Sequence, residues 1–164
     1  MSELLPLDKS EFDIRTLDDE IRVDALCRDL LQRFYQYLLD KSMVPGEASL
    51  LASGADYYTR DFVIGAKQKN ILDEQPGAVR QFAGNWYITN TLEPNMRELS
   101  AHLAGVKAFY GFLRESGLVS DQFLRIVEQE CENGAYYRDR IEAFWSIRGD
   151  GYFAWEKECT LKDR

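Results

Sequence analysis

The chain has 164 residues, 45% hydrophobic and 29% charged, so a single core is expected and a wholly disordered chain is excluded. Its formal charge of −8, from 28 acids and 20 bases, argues against a nonspecific nucleic-acid binder, because backbone phosphates repel a net anion. No apolar run approaches the roughly 18 residues of a membrane span, and the start MSELLPLDKSEFD is acidic where a signal peptide is basic. A soluble protein of the cytoplasm, with no membrane partner, is the expectation.

Residues 1–16 read as an irregular arm. From 17 to 40 the apolar positions Val23, Leu26, Cys27, Leu30, Phe34 and Leu38 recur at steps of three and four, which is a helical stripe. Asp18, Asp19 and Glu20 stand in its first turn, where carboxylates complement the helix dipole, and Pro45-Gly46 ends the unit. A second helix is predicted from Glu47 to Ala66, with Ala48, Leu51, Ala55, Tyr58 and Phe62 on one side. Gly54 weakens it by about 1 kcal/mol relative to Ala, so a break there is allowed.

The polar connector KQKNILDEQPG follows. AVRQFAGNWYI then places Val79, Phe82, Ala83 and Trp86 on a third helical face, with Pro76 near its start. The longest stripe lies between Pro94 and Gly117, through Met96, Leu99, Leu103, Val106, Phe109, Tyr110 and Leu113. Ser120 reads as the N-cap of DQFLRIVEQECE, and Asn133-Gly134 precedes AYYRDRIEAFWSI, where Tyr137, Ile141, Phe144 and Trp145 align. Residues 149–164 form a tail whose YFAWE fits a short helix, a strand or an arm. No β-branched runs alternate with turns. The fold class is therefore all-α, an orthogonal or irregular bundle of about five to seven helices in one domain over residues 1–164.

Reactive residues are few. Cys27, Cys131 and Cys159 are odd in number and lack a CxxC spacing, which fits reduced thiols better than a disulfide framework or a zinc site. His102 is the only histidine, and Glu98 four residues earlier could orient its imidazole. One histidine cannot build a multi-histidine metal site, so a partly exposed helical residue is the simpler reading. Glu128 and Glu132 share a face and could act as a carboxylate pair, although acidic helix surfaces produce such pairs routinely. No GxSxG elbow and no glycine-rich phosphate loop occurs. No catalytic, metal or cofactor-binding residue is therefore assigned, no cofactor is expected, and an enzyme is the weakest of the broad classes.

All the net negative charge lies in the flanks, since residues 41–120 hold eight acids and eight bases. That neutral segment could carry a local basic face including Lys67, Lys69, Lys107 and Arg114, or only solvated helix surfaces. The aromatic pairs Trp86-Tyr87, Tyr136-Tyr137 and Phe144-Trp145 should each bury one ring. Their other members, with Tyr152, Phe153 and Trp155, could leave an aromatic patch of the kind that marks interfaces, with Tyr87, Tyr136, Tyr152 and Trp155 as the candidate interface aromatics.

Residues 55–118 contain, in order, ADYYTRDFVIGAKQKNIL, AVRQFAGNWYI and RELSAHLAGVKAFYGFLRESGL. This succession resembles the SAM-like core-binding domain of phage integrases and other tyrosine recombinases: a Tyr/Phe-bearing helix, a Val-x-x-Phe helix and a long helix ending Phe-Tyr-x-Phe-Leu-x-x-x-Gly. The resemblance implies a helical clamp on DNA backbone, with Arg97, Lys107 and Arg114 as contacts. It does not imply catalysis, since only 46 residues, none of them histidine, follow Leu118. Two readings stand: a non-enzymatic domain that binds a protein partner or itself, and a DNA-binding module. An exposed Trp/Tyr patch favours the first; a contiguous basic stripe through Lys67, Lys69, Lys107 and Arg114 favours the second.

Overall fold

Thr16 starts the first helix by a capping box: its Oγ1 accepts from the Asp19 amide at 3.1 Å, and Asp19 Oδ2 accepts from the Thr16 amide at 3.2 Å. A computed structural model describes residues 7 to 163; the outer part of the expected arm, residues 1–6, lies outside the described residues. The inner part is not an irregular arm. Lys9–Phe12 form a short 3-10 turn whose Phe12 is fully buried, and Asn70 Nδ2 donates to the Lys9 carbonyl at 2.8 Å.

Helix α1 spans Leu17–Asp40 and buries Val23, Cys27, Leu30, Phe34 and Leu38 of the predicted stripe, with Leu26 half-buried beside them. Pro45 opens α2, Pro45–Asp56, because a proline at the first helical position loses no hydrogen bond. Gly54 does not break this helix. The rod continues as a π-helix, Tyr57–Ala66, in which the Lys67 amide reaches back five residues to the Phe62 carbonyl at 2.9 Å.

After the connector, α3 (Ala78–Gln81), a π-helical turn (Phe82–Trp86) and α4 (Tyr87–Thr89) form one rod. The two π-helical stretches pack ring on ring, with Phe62 5.5 Å from Phe82 and 5.4 Å from Trp86. Asn95 and Ser120 cap α5, Met96–Glu115, and α6, Asp121–Cys131. Helix α7, Gly134–Trp145, and α8, Tyr152–Glu158, complete the chain. Among the described residues there is no strand, and the protein is an all-α bundle of seven rods. None of the described helices is long and apolar enough to cross a membrane.

Helix α5 is the axis of the core, touching α1, α2, α6 and α7. Its Leu99, Val106, Phe109 and Leu113 are fully buried. Its closest approach is to α2, at two glycines. A Cβ built on Gly105 would stand 3.1 Å from the Gly54 Cα and 2.9 Å from the Ala55 nitrogen, so Gly54 serves contact between helices and is no hinge.

Candidate functional site

The segment expected as a tail is docked, and Arg140 docks it. Arg140 is 3% exposed; its Nε donates to the Gly84 carbonyl at 2.8 Å and its Nη1 to the Trp155 carbonyl at 2.6 Å. The Trp155 indole donates back to the Arg140 carbonyl at 2.9 Å, and the guanidinium lies 3.9 Å from the indole centroid. Asn85 adds a donor to the Cys159 carbonyl at 2.7 Å. Helix α8 is thus fixed across α7 and the rod of α3 and α4.

This seating lifts a chain of rings to the surface. Phe144 contacts Trp145 at 6.1 Å and Trp155 at 5.0 Å, and Tyr152 contacts Trp155 and Phe153, each at 6.0 Å. Trp145, Tyr152 and Phe153 remain 59%, 40% and 76% exposed. The turn between α7 and α8 adds exposed Arg148 and Asp150, so both signs of charge border the apolar surface.

Of the four candidate interface aromatics, Tyr152 alone lies on this face. Tyr87 is fully buried: the π-helical turn before it rotates the rod away from a 3.6-residue period and brings Tyr87 and Ile88 inward. Its hydroxyl donates to Glu98 Oε1 at 2.8 Å and accepts from the Asn95 amide at 3.1 Å. Trp155 is the buried anchor beneath the face rather than part of it. Tyr136 is half-buried against Tyr137 and the Cys159 sulfur. Phe153, expected in the aromatic patch, does lie on this face, and Trp145, aligned in the sequence with a packed stripe, is exposed instead.

The candidate DNA-contacting cations are mostly engaged. Lys67 Nζ holds Asp163 at 2.8 Å and the Leu161 carbonyl at 2.6 Å, and Lys69 meets the same carboxylate at 3.5 Å. Lys107 pairs with Glu132 at 2.8 Å, and Arg114 pairs with Asp121. Arg97 is exposed at the start of α5. These pairings place four of the five candidates in three separate groups, each with its own acid.

The candidate reactive groups are also occupied or insulated. Glu98 spends its carboxylate on Tyr87, while His102 stacks on Tyr57 at 4.8 Å, and burial holds its pKa below the ordinary histidine value against the opposing charge of Glu98. Burial pushes the Cys27 and Cys131 thiols up to about 12, far from the thiolate a nucleophile needs. Of the carboxylates on α6, Glu132 pairs with Lys107 at 2.8 Å, and Glu130 accepts from the Gly77 and Arg80 amides, each at 2.9 Å, and caps α3 from a distant helix. Among the described residues no group of three or more His, Cys, Asp or Glu could hold a metal ion.

No protein-family model matches this chain. Comparison with curated proteins and with solved structures likewise finds no match.

Proposed function

We propose that the protein is a non-enzymatic interaction module that pairs with a second copy of itself through the Trp145–Tyr152–Phe153 face. The observation that carries this reading is the exposure of three rings on a rigidly seated surface, Tyr152 against Phe153 and Trp145 linked to them through Phe144 and the buried Trp155. Together they leave on the order of a few hundred Å2 of apolar surface in water, the scale on which monomer surfaces signal interaction sites. Aromatic residues at the centre with a charged border is the composition of an interface core and rim. The border carries Arg148 beside Asp150, so two copies related by a twofold axis can set each cation against an acid.

Sedimentation velocity over a concentration series tests the reading. Reversible association is expected; a strict monomer at high micromolar concentration overturns it. The alternative, a DNA-binding module of the recombinase core-binding kind, has less support because Lys67, Lys69, Lys107 and Arg114 each face a carboxylate. Under that alternative, duplex DNA binds at low salt and is lost steeply as salt rises.

A further inference from the structure

A cavity of about 290 Å3 lies between the connector after the first π-helix and the strand of chain that follows α8. Tyr58, Phe62, Tyr110 and Phe123 line it with rings, and its rim carries Lys67, Lys69, Arg80, Lys157 and Lys162. Five cations face only three carboxylates there, Asp73, Glu158 and Asp163, although the chain as a whole carries a charge of −8. Charge of one sign gathered at a low-dielectric cleft attracts the opposite sign locally, whatever the net charge of the protein.

Two details separate this cavity from an incidental gap. Tyr110 donates its hydroxyl to the Ile71 carbonyl at 2.8 Å, and Asn70 satisfies its amide on Lys9, Asp13 and Leu72. Tyr58 is 2% exposed and also lines the cavity, yet its hydroxyl joins no hydrogen bond among the described residues. Among the described residues the one fully buried side-chain polar atom without a partner is Arg140 Nη2, so the Tyr58 hydroxyl opens onto the cavity, where it is placed to hydrogen-bond a ligand. The second detail is Asp163: the lysines at positions 67 and 69 already hold its carboxylate at this rim, so the site accommodates an anionic oxygen. The ion pairs of these rim cations among the described residues are those of the lysines at 67 and 69 with Asp163, which leaves Arg80, Lys157 and Lys162 outside them.

We infer that this cavity binds a small aromatic organic anion, with its ring system on the Tyr58 and Phe123 floor and its anionic head among Arg80, Lys157 and Lys162. The ring stack supplies apolar contact, the Tyr58 hydroxyl gives one directional hydrogen bond, and the rim selects charge. Its size stands at the lower edge of small-molecule sites, roughly 300–1,000 Å3.

Fluorescence titration tests this with anilinonaphthalene sulfonate, an aromatic anion, beside its uncharged counterpart N-phenylnaphthylamine. The anion is expected to bind at one saturable site, and to bind about tenfold more weakly when Lys157→Glu and Lys162→Glu are combined. Tyr58→Phe is expected to weaken it severalfold. Arg97→Glu with Arg138→Glu, which changes net charge equally but away from the cavity, should leave binding as in the parent. Because the aromatic face could also take up the dye, Trp145→Ala with Phe153→Ala is titrated in parallel and should bind the anion normally. Circular dichroism melting checks that each variant is folded, and Lys157 and Lys162 are exposed enough to be replaced without unfolding. Absence of saturable binding, equal binding of the uncharged dye, or loss of binding only in the Trp145 and Phe153 variant would overturn the inference.

Discussion

Arg140 and Trp155 hold each other reciprocally: each donates a side-chain hydrogen bond to the other's backbone carbonyl, at 2.6 and 2.9 Å, with the guanidinium 3.9 Å from the indole centroid. Both are buried, and the pairing turns a polar C-terminal segment into a fixed part of the bundle. Arg140→Ala would leave the Gly84 and Trp155 carbonyls without their donors and open a void, at a cost of about 3 kcal/mol. Urea unfolding should register that loss, with amide exchange accelerated first in α8. Arg140→Lys should not restore stability, because an ammonium cannot serve two separated carbonyls and the indole face with the same fork.

The α2–α5 crossing predicts opposite outcomes for two glycines of one helix. Gly105→Ala would drive a methyl into the α2 backbone and should cost about 2 kcal/mol or more. Gly111 has no atom within 4 Å of where its Cβ would be, so Gly111→Ala should raise stability by about 0.5–1 kcal/mol through helix propensity. Thermal unfolding of both variants against the parent measures the difference, and two shifts of the same sign would contradict the packing described.

Phe109 is fully buried, 5.3 Å from Phe34 and 5.6 Å from Tyr110. Phe109→Ala should cost about 3–5 kcal/mol, a large share of a typical domain's stability. Arg114, whose pairing with Asp121 is solvent-exposed, should change stability by less than about 0.5 kcal/mol when replaced by Ala. Equal melting of Phe109→Ala and the parent would remove α5 from the centre of the core.

His102 gives a pH dependence with a defined sign. Burial lowers its folded pKa below the unfolded 6.5, so between the two values the unfolded chain binds the proton and the folded chain does not. Its contribution is therefore constant above pH 6.5 and falls as pH drops through 6.5 towards the folded value. The imidazole resonances of this single histidine should titrate below 6.5, and His102→Gln should flatten the stability profile in that window.

The helices were legible because apolar residues recur at 3.6-residue spacing over long stretches; α1 and α5 carry that signal over six turns or so, and most of the predicted stripe is buried, although Leu26 and Met96 are half-buried and Leu31 and Phe112 join the core beside it. The signal failed at Tyr87, where five π-helical residues shift the phase of the rod, and such turns leave no mark on composition. Glu130 and Arg140 were missed for another reason: each acts on backbone atoms more than fifty residues away, at Gly77 and Gly84, and local spacing carries no trace of such contacts. Two of the exposed rings were legible, since Tyr152 and Phe153 fall in the expected aromatic patch, whereas Trp145 aligns with a stripe expected to pack. Trp145, Tyr152 and Phe153 flank the Gly149-Asp150-Gly151 turn, and a helix as short as α8 cannot bury all of Tyr152, Phe153 and Trp155.

Pairing of two copies through the Trp145–Tyr152–Phe153 face is read by sedimentation equilibrium of the parent beside Trp145→Ser with Phe153→Ser. Both replaced rings are exposed, so the variant should keep the parent's circular dichroism and melting behaviour. A reversible monomer–dimer equilibrium is expected for the parent and a monomer for the variant across the same concentrations. A parent that stays monomeric throughout, or a variant that dimerises as tightly as the parent, would contradict it.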